Sequence, residues 1–234
     1  MKKHIPNLFT LLNVCGGCLA ICLAFDNEFL LACICILLSA TFDFLDGFLA
    51  KRLNVQSELG AQLDSLADMV TFGLAPSFIA LNLVLQSEGL AYYVLPLFFI
   101  PLNSAIRLAR FNVTDSSQSN SFIGLPTPAN ALFILSISLL FFKYQNEISI
   151  PNIDLIYVAV LSLSSFLMVS KIKFMSFKTK NLKLNDNKHL YFFLFFSLMT
   201  IIISLLMLKY YFILPIILLL YFIISIIKNS KNEV

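Results

Sequence analysis

The sequence has no tryptophan and few charged residues, and the shortage of charge narrows the class of protein. Only 12% of the 234 residues are charged, whereas about 25% is usual for a soluble domain. Hydrophobic residues make up 59%, against about 45–50% in soluble chains, and the mean hydropathy is +0.88. A soluble chain of this length cannot bury so much apolar surface, so most of it must lie in lipid. This excludes a secreted enzyme, a nucleic-acid-binding protein and a disordered regulator.

Histidine and cysteine are also poorly placed for a zinc site. There are two histidines, and all five cysteines lie within the first 35 residues, in two apolar segments. Cys15 and Cys18 form a Cys-x-x-Cys pair, but no second pair and no suitably placed histidine completes a tetrahedral ligand set. We therefore interpret the cysteines as small packing residues. With tryptophan absent, tyrosines near the segment ends are left to anchor the chain at the membrane interface.

Eight apolar segments long enough to cross a bilayer follow one another along the chain. They cover residues 5–25, 29–50, 62–86, 90–109, 127–143, 151–170, 190–208 and 210–227. We predict an all-α polytopic membrane protein, a bundle of about eight transmembrane helices that forms a single domain over residues 1–234. An even number of crossings places both termini on the same side.

The basic residues predict which side that is. If the N-terminus is cytoplasmic, 14 of the 16 lysines and arginines fall on the cytoplasmic side, and only Lys143 and Lys209 fall outside. Cytoplasmic loops carry an excess of lysine and arginine, so we expect both termini in the cytoplasm. The lysine-rich stretch at 171–189 is then a cytoplasmic segment that faces anionic lipid.

Four of the 13 acidic residues lie close together at the cytoplasmic ends of the second and third segments. Asp43 and Asp46 are three residues apart, and Asp64 and Asp68 are four apart, so each pair shares one helix face. The turn between the segments is short, so the two helices are antiparallel neighbours and their aspartates face each other. Acidic side chains at this depth are energetically costly and by default functional.

Four carboxylates in so small a space repel one another unless cations lie between them. An all-oxygen ligand set suits hard divalent cations, either Mg²⁺ or Mn²⁺, with Ca²⁺ as a further candidate. Two such ions that bridge a diphosphate would suit an in-line displacement at phosphorus. Gly47, Ala50 and Gly60 lie on the same helices and would leave room for a ligand. Close helix packing is the alternative interpretation of these small residues.

Residues 43–68 resemble the signature of the CDP-alcohol phosphotransferase family, Asp-x2-Asp-Gly-x2-Ala-Arg-x8-Gly-x3-Asp-x3-Asp, at every spacing. One position differs, because Lys51 stands where the family has arginine. Lysine keeps the charge but loses the bidentate fork. Other stretches resemble the membrane-embedded bacterial phosphatidylserine synthases within this family. They are residues 5–13, 64–77, 107–112 and 124–129.

The resemblance implies an enzyme that transfers the phosphatidyl group of CDP-diacylglycerol to the hydroxyl of L-serine and releases CMP. It implies two divalent cations held by Asp43, Asp46, Asp64 and Asp68, with Asp68 also the general base. It implies a CDP-diacylglycerol site bordered by Asn7, Thr10, Gly47, Ala50, Lys51 and Gly60. It further implies a homodimer in the bacterial inner (cytoplasmic) membrane, with the active site facing the cytoplasm.

Two arginines at the end of the fourth segment have two interpretations. Arg107 and Arg110 are three residues apart and are followed by Asn112. Positive charge on the cytoplasmic side explains them equally well as anchors. Both are arginine, however, which suits planar recognition of a carboxylate. We therefore predict that these three residues bind serine.

Two alternatives remain open from the sequence. The acceptor could be glycerol 3-phosphate or inositol 1-phosphate, which would require more basic contacts, and the lysines of 171–188 could supply them. In a different class, membrane-embedded aspartates also occur in cation transporters. Transporter sites usually lie near the membrane midplane between repeats, whereas this cluster lies near one face and no repeat is visible in the sequence.

Overall fold

The computed structural model describes residues 4–86, 91–113, 122–144, 152–174, 196–200 and 212–231, and almost all of them are helical. The helices are α1 (Ile5–Phe25), α2 (Phe29–Arg52), α3 (Glu58–Asp68), α4 (Ala75–Gln86), α5 (Phe99–Val113), α6 (Thr127–Tyr144), α7 (Ile153–Val169) and α8 (Ile213–Lys231). A π-helical segment, Met69–Leu74, joins α3 to α4, and a 3-10 segment, Ala91–Phe98, precedes α5. Two short strands, β1 (Phe122–Ile123) and β2 (Lys173–Phe174), pair antiparallel.

The predicted all-helical class is confirmed apart from this two-residue pairing. Within the described ranges, five helices are long and apolar enough to cross a membrane: Ile5–Phe25, Phe29–Arg52, Glu58–Gln86, Tyr93–Val113 and Thr127–Tyr144. Two shorter apolar helices, Ile153–Val169 and Pro215–Ser225, fall within the predicted segments 151–170 and 210–227. The predicted segment 190–208 lies outside the described residues except for a helical turn at 196–200.

Two helix boundaries differ from the predicted segments for identifiable local reasons. The third helix begins at Glu58, four residues before the predicted segment, because Ser57 caps it: the Gly60 N–H donates to Ser57 Oγ at 3.1 Å. The fourth segment begins as a 3-10 turn that contains Pro96, and the α-helix starts only at Phe99. Proline has no N–H to donate and clashes with the preceding turn.

Helix α1 packs closely between α2 and the π-helical segment. A Cβ atom at Gly17 would lie 2.5 Å from Thr71 Oγ1 and 2.9 Å from Thr71 Cα, so only glycine fits there. The Thr71 hydroxyl donates to the backbone carbonyl of Asn13 at 3.0 Å. Small residues of this kind let helix backbones approach closely in membranes. The contact fixes the depth of the π-helical segment, and of Asp68 directly before it, relative to α1.

The outer faces of the helices are apolar. Large side chains such as Leu19, Leu30 and Leu163 are more than half exposed, as expected of helices whose outer face meets lipid. Three cysteines of α1 also face outward, whereas Cys33 is buried in the core. The packing role predicted for the cysteines therefore describes Cys33 and also Cys35, which is partly buried against the core. Cys15, Cys18 and Cys22 repeat on the face of α1 opposite to the buried positions Asn13, Gly17, Ala20 and Ala24.

Candidate active site

Three aspartates meet where α2 and α3 face each other. Asp43 comes from α2, and Asp64 and Asp68 come from successive turns of α3. One carboxylate oxygen from each lies within 4.8 Å of the other two, and all three side chains are half-buried. Oxygen ligands of a single hard cation lie about 2.0–2.6 Å from it, so they are at most about 5 Å apart. The cluster therefore has the dimensions of a cation site.

The fourth predicted ligand, Asp46, lies one turn further along α2 and has a different partner. Its side chain is 5% exposed, and its Oδ2 accepts a hydrogen bond from the Thr10 hydroxyl of α1 at 2.7 Å. The three-carboxylate cluster does not include it. The structure thus brings three of the four predicted ligands together and places the fourth beside them, tied to α1.

The chemistry of the cluster fits a divalent cation. Asp68 Oδ1 is buried and has no hydrogen-bond partner among the residues that the structure describes. Buried polar atoms are nearly always paired, and an unpaired carboxylate oxygen among other carboxylates suits a bound cation. All the converging donors are carboxylate oxygens, which Mg²⁺, Mn²⁺ and Ca²⁺ prefer. These three residues could hold such an ion.

A cavity of about 240 Å³ opens beside the carboxylates. It lies between the start of α1, the end of α2 and the start of α3. All six residues predicted to border CDP-diacylglycerol line it: Asn7, Thr10, Gly47, Ala50, Lys51 and Gly60. Asp46 and Asp64 line it as well. A Cβ atom at Gly47 would meet no atom within 4 Å, so this glycine leaves open space at the cavity wall.

Sequence reasoning missed five residues that line the same cavity. They are Pro6, Val55, Gln56, Ser57 and Ala61. Three of them belong to the connection between α2 and α3, which is only five residues long, 53–57. A connection this short must lie directly over the ends of its two helices. The short length of this connection was therefore the signal in the sequence that its residues would border the cavity.

Arg107 of α5 is linked electrostatically to the carboxylate cluster. It is a half-buried residue of α5, and it interacts electrostatically with Asp68. Its Nη1 donates to the hydroxyl of Thr127, at the start of α6, at 2.8 Å. Its Nε is buried and has no hydrogen-bond partner in the described part of the chain. Arg107 therefore keeps one unpaired donor in the described part of the chain, and Thr127, which was not predicted as a site residue, holds its guanidinium.

The other two residues predicted to bind serine point to different helices. Arg110 is exposed, and its Nη1 donates to the carbonyl of Val169 at the end of α7, at 3.2 Å. Asn112 bridges to α3, where its Nδ2 donates to Gln62 Oε1 at 3.1 Å and its Oδ1 accepts from the Ser65 hydroxyl at 3.0 Å. These contacts tie Arg110 to α7 and Asn112 to α3. They brace the end of α5 against its neighbours.

Comparison with known proteins identifies a protein family that matches most of this chain. Residues 3–169 match the CDP-alcohol phosphatidyltransferase family. The chain is 38% identical over 182 residues to the CDP-diacylglycerol–serine O-phosphatidyltransferase of Helicobacter pylori, covering 76% of each chain. It is 35% identical over 176 residues to the protein of that name from Bacillus subtilis, covering 75% of this chain and 92% of the relative.

A third similar protein carries a different name. It is the archaetidylserine synthase of Methanothermobacter thermautotrophicus, 37% identical over 164 residues, which cover 69% of this chain and 67% of the relative. The family match spans α1 to α7 and so includes every residue of the carboxylate cluster and the cavity. From the aspartate spacing, the cavity and these matches together, the chain belongs to the CDP-alcohol phosphatidyltransferase family.

Proposed function

We propose that this integral membrane protein is a phospholipid-biosynthetic transferase that moves the phosphatidyl group of CDP-diacylglycerol to the hydroxyl of L-serine, giving phosphatidylserine and CMP. The observation that carries the proposal is the carboxylate cluster of Asp43, Asp64 and Asp68 beside a cavity lined by the nucleotide-binding positions of the signature. The names of the similar proteins from Helicobacter pylori and Bacillus subtilis support serine as the acceptor.

In this proposal the donor lipid binds across the interface of α1, α2 and α3. Gly47, Ala50 and Gly60 offer space for the cytidine, and Asn7 and Thr10 border it from α1. Lys51 is exposed at the cavity and supplies positive charge to a phosphate of the donor. Thr10 also holds the Asp46 carboxylate at 2.7 Å, so the nucleotide cavity and the carboxylates share one wall.

Asp43, Asp46, Asp64 and Asp68 would hold two divalent cations, Mg²⁺ or Mn²⁺, with Ca²⁺ as a further candidate. When bound, such ions neutralise the diphosphate and stabilise the charge that develops on the leaving phosphate. The fit rests on the oxygen-only donor set and on the unpaired, buried Asp68 Oδ1. In this proposal the diphosphate lies in the part of the cavity that Asp46 and Asp64 line.

Asp68 is the general base in the proposed reaction. Its carboxylate accepts the proton of the serine hydroxyl, whose oxygen forms a bond to the phosphorus that carries diacylglycerol. The bond from that phosphorus to the oxygen bridging the two phosphates breaks, and CMP leaves with the electron pair. Arg107 interacts electrostatically with Asp68 and has an unpaired Nε among the described residues, and we assign it to the serine carboxylate. Arg110 and Asn112 would keep the end of α5 in place for this contact.

We further propose eight membrane crossings in one domain over residues 1–234, with both termini and the active site on the cytoplasmic side of the bacterial inner membrane, and a homodimeric assembly. The 14 basic residues that fall on one side support the orientation. Lys51 and Arg52 end α2 on the side where Asn7 and Gly60 line the cavity. Nucleotide and serine are both cytoplasmic solutes, so this orientation gives each of them access.

Replacing Gly47 with leucine is expected to raise the KM for CDP-diacylglycerol at least about tenfold. A side chain here has open space in the free protein, so the variant folds, but the leucine occupies the cavity that the donor needs. Removing a glycine from a helix interior also stabilises it by about 1 kcal/mol, so the thermal midpoint does not fall. The matched control is Gly47→Ala, whose single methyl group changes the KM much less. A folded leucine variant with an unchanged KM would contradict the proposed donor site.

The proposed reaction is tested with a panel of acceptors. Purified protein in lipid–detergent micelles receives CDP-diacylglycerol, Mn²⁺ and, in turn, L-serine, glycerol 3-phosphate or inositol 1-phosphate. CMP release and the lipid product are measured. We expect CMP release to depend on L-serine and to yield phosphatidylserine in equal amount. Release that depends on another acceptor would overturn the assignment of serine, and cation flux through proteoliposomes without any CMP release would overturn the enzymatic function.

A further inference from the structure

Asn13 is a buried polar residue of α1 whose side chain has no partner. It is 0% exposed, and neither its Oδ1 nor its Nδ2 makes a hydrogen bond to any residue that the structure describes. Its neighbour one turn earlier, Thr10, is also buried but is paired with Asp46. A buried primary amide with both of its polar atoms unpaired is rare in a folded protein and calls for an explanation.

The contacts between α1 and α2 place Asn13 opposite Asp43. Thr10 of α1 contacts Asp46 of α2, and the two helices run antiparallel. A residue one turn after Thr10 in α1 therefore lies opposite a residue one turn before Asp46 in α2. These two residues are Asn13 and Asp43. The next contact keeps this register, because a Cβ atom at Gly16 would collide with Ser39.

The contact between α1 and Thr71 indicates that the side chain of Asn13 lies near the level of Asp68. The backbone carbonyl of Asn13 accepts from Thr71 Oγ1 at 3.0 Å, and Asp68 precedes Thr71 by three residues. Here the two helices run parallel, since both start at the cavity. A helical carbonyl points toward the C-terminus, whereas the side chain tilts toward the N-terminus. The side chain of Asn13 is thus directed from the level of Thr71 toward that of Asp68.

We propose that Asn13 is a positioning residue of the carboxylate centre, whose Nδ2 donates hydrogen bonds to the carboxylates of Asp43 and Asp68 when a cation is held between them. Carboxylates only accept hydrogen bonds and a primary amide offers two donors, so the groups are complementary. Ligands of a metal ion need such outer partners to hold their orientation, and loss of one typically weakens binding about 10–100-fold. This inference rests on the cation site of the proposed function.

The test compares Mn²⁺ binding by purified full-length wild type, Asn13→Leu and Ser39→Ala, measured from the electron paramagnetic resonance signal of free Mn²⁺. Leucine has the same branching as asparagine without its polar atoms. Ser39 is a matched control, because it is 0% exposed, has an unpaired hydroxyl in the described part of the chain, and lies in the same α1–α2 interface one turn deeper than Asp43. We expect the Mn²⁺ Kd to rise about tenfold in Asn13→Leu and to stay unchanged in Ser39→Ala.

Thermal unfolding supplies a readout that a merely structural asparagine would move differently. In excess EDTA, Asn13→Leu is expected to unfold at the wild-type temperature or above, because it removes an unpaired buried amide. The stabilisation that Mn²⁺ adds is expected to shrink in this variant. The smaller Asn13→Ala is measured for the Mn²⁺ Kd alongside, so that the packing of leucine does not decide the outcome.

The possible failures are distinguishable. A wild-type protein that binds no Mn²⁺ would overturn the cation centre, and the role of Asn13 with it. A wild type that binds Mn²⁺, together with Asn13 variants of unchanged Kd, would overturn only the role of Asn13. A lower unfolding temperature of Asn13→Leu in EDTA with an unchanged Kd would identify Asn13 as a structural residue and would equally overturn the inference.

Discussion

Replacing Asp68 with asparagine is expected to lower kcat for CMP release by about a thousandfold or more. Asparagine keeps the shape of the side chain, but it accepts no proton and carries no charge to hold a cation. Loss of a general base typically lowers the rate about 10²–10⁴-fold, and the same substitution removes one of the three converging oxygens from the cation cluster. Both losses act on the same step, so we expect the effect to fall in the upper half of that range.

The measurement is the rate of CMP release at saturating CDP-diacylglycerol, L-serine and Mn²⁺. Asp26→Asn is the matched control, since Asp26 is an exposed aspartate at the far end of α1 and is expected to leave kcat unchanged. The thermal midpoint of Asp68→Asn in EDTA should not fall, because the substitution relieves repulsion among three half-buried carboxylates. If Asp68→Asn retains more than a tenth of the wild-type kcat, Asp68 is not the general base.

The arrangement of the aspartates could be predicted because it depends on local spacing. The intervals between Asp43 and Asp46 and between Asp64 and Asp68 place each pair on one helix face, and the short connection forces the two faces together. The same reasoning gave the cavity residues Gly47, Ala50 and Gly60, all of which line the cavity. Helical periodicity and a short loop contain this information, since both act over a few residues.

Contacts between distant residues could not be predicted in the same way. The pairing of Thr10 with Asp46, which separates Asp46 from the cluster, joins residues 36 positions apart. The contact of Arg107 with Thr127 depends on how α5 and α6 pack. The backbone approach at Gly17 sets the depth of α1 against Thr71, and no pattern in the sequence indicates which residues such a glycine faces.

Helix boundaries were predictable only where apolar composition defines them. Segments 5–25 and 29–50 agree with α1 and α2 within two residues at each end. The third segment began too late, because the first turn of α3 is polar and resembles a loop until Ser57 is recognised as its cap. The π-helical segment that follows Asp68 has no sequence signature of its own. Such segments frequently occur at functional sites, which agrees with its position next to the proposed base.

Removing divalent cations is expected to abolish the reaction. Carboxylates confined near one membrane face need cations between them. A bound ion that stabilises the developing charge typically lowers the barrier by several kcal/mol. Each 1.36 kcal/mol is about a factor of ten in rate, so we expect CMP release to fall at least about a thousandfold in excess EDTA. Dialysis followed by addition of Mn²⁺ or Mg²⁺ should restore it, which controls for irreversible unfolding.

The direct test of the central claim is therefore the rate of serine-dependent CMP release by the purified wild-type protein before chelation, in excess EDTA, and after Mn²⁺ is restored. The account predicts activity, then no measurable activity, then recovery to the starting rate. An unchanged rate in excess EDTA would contradict it, because the carboxylates of Asp43, Asp64 and Asp68 would then act without a cation.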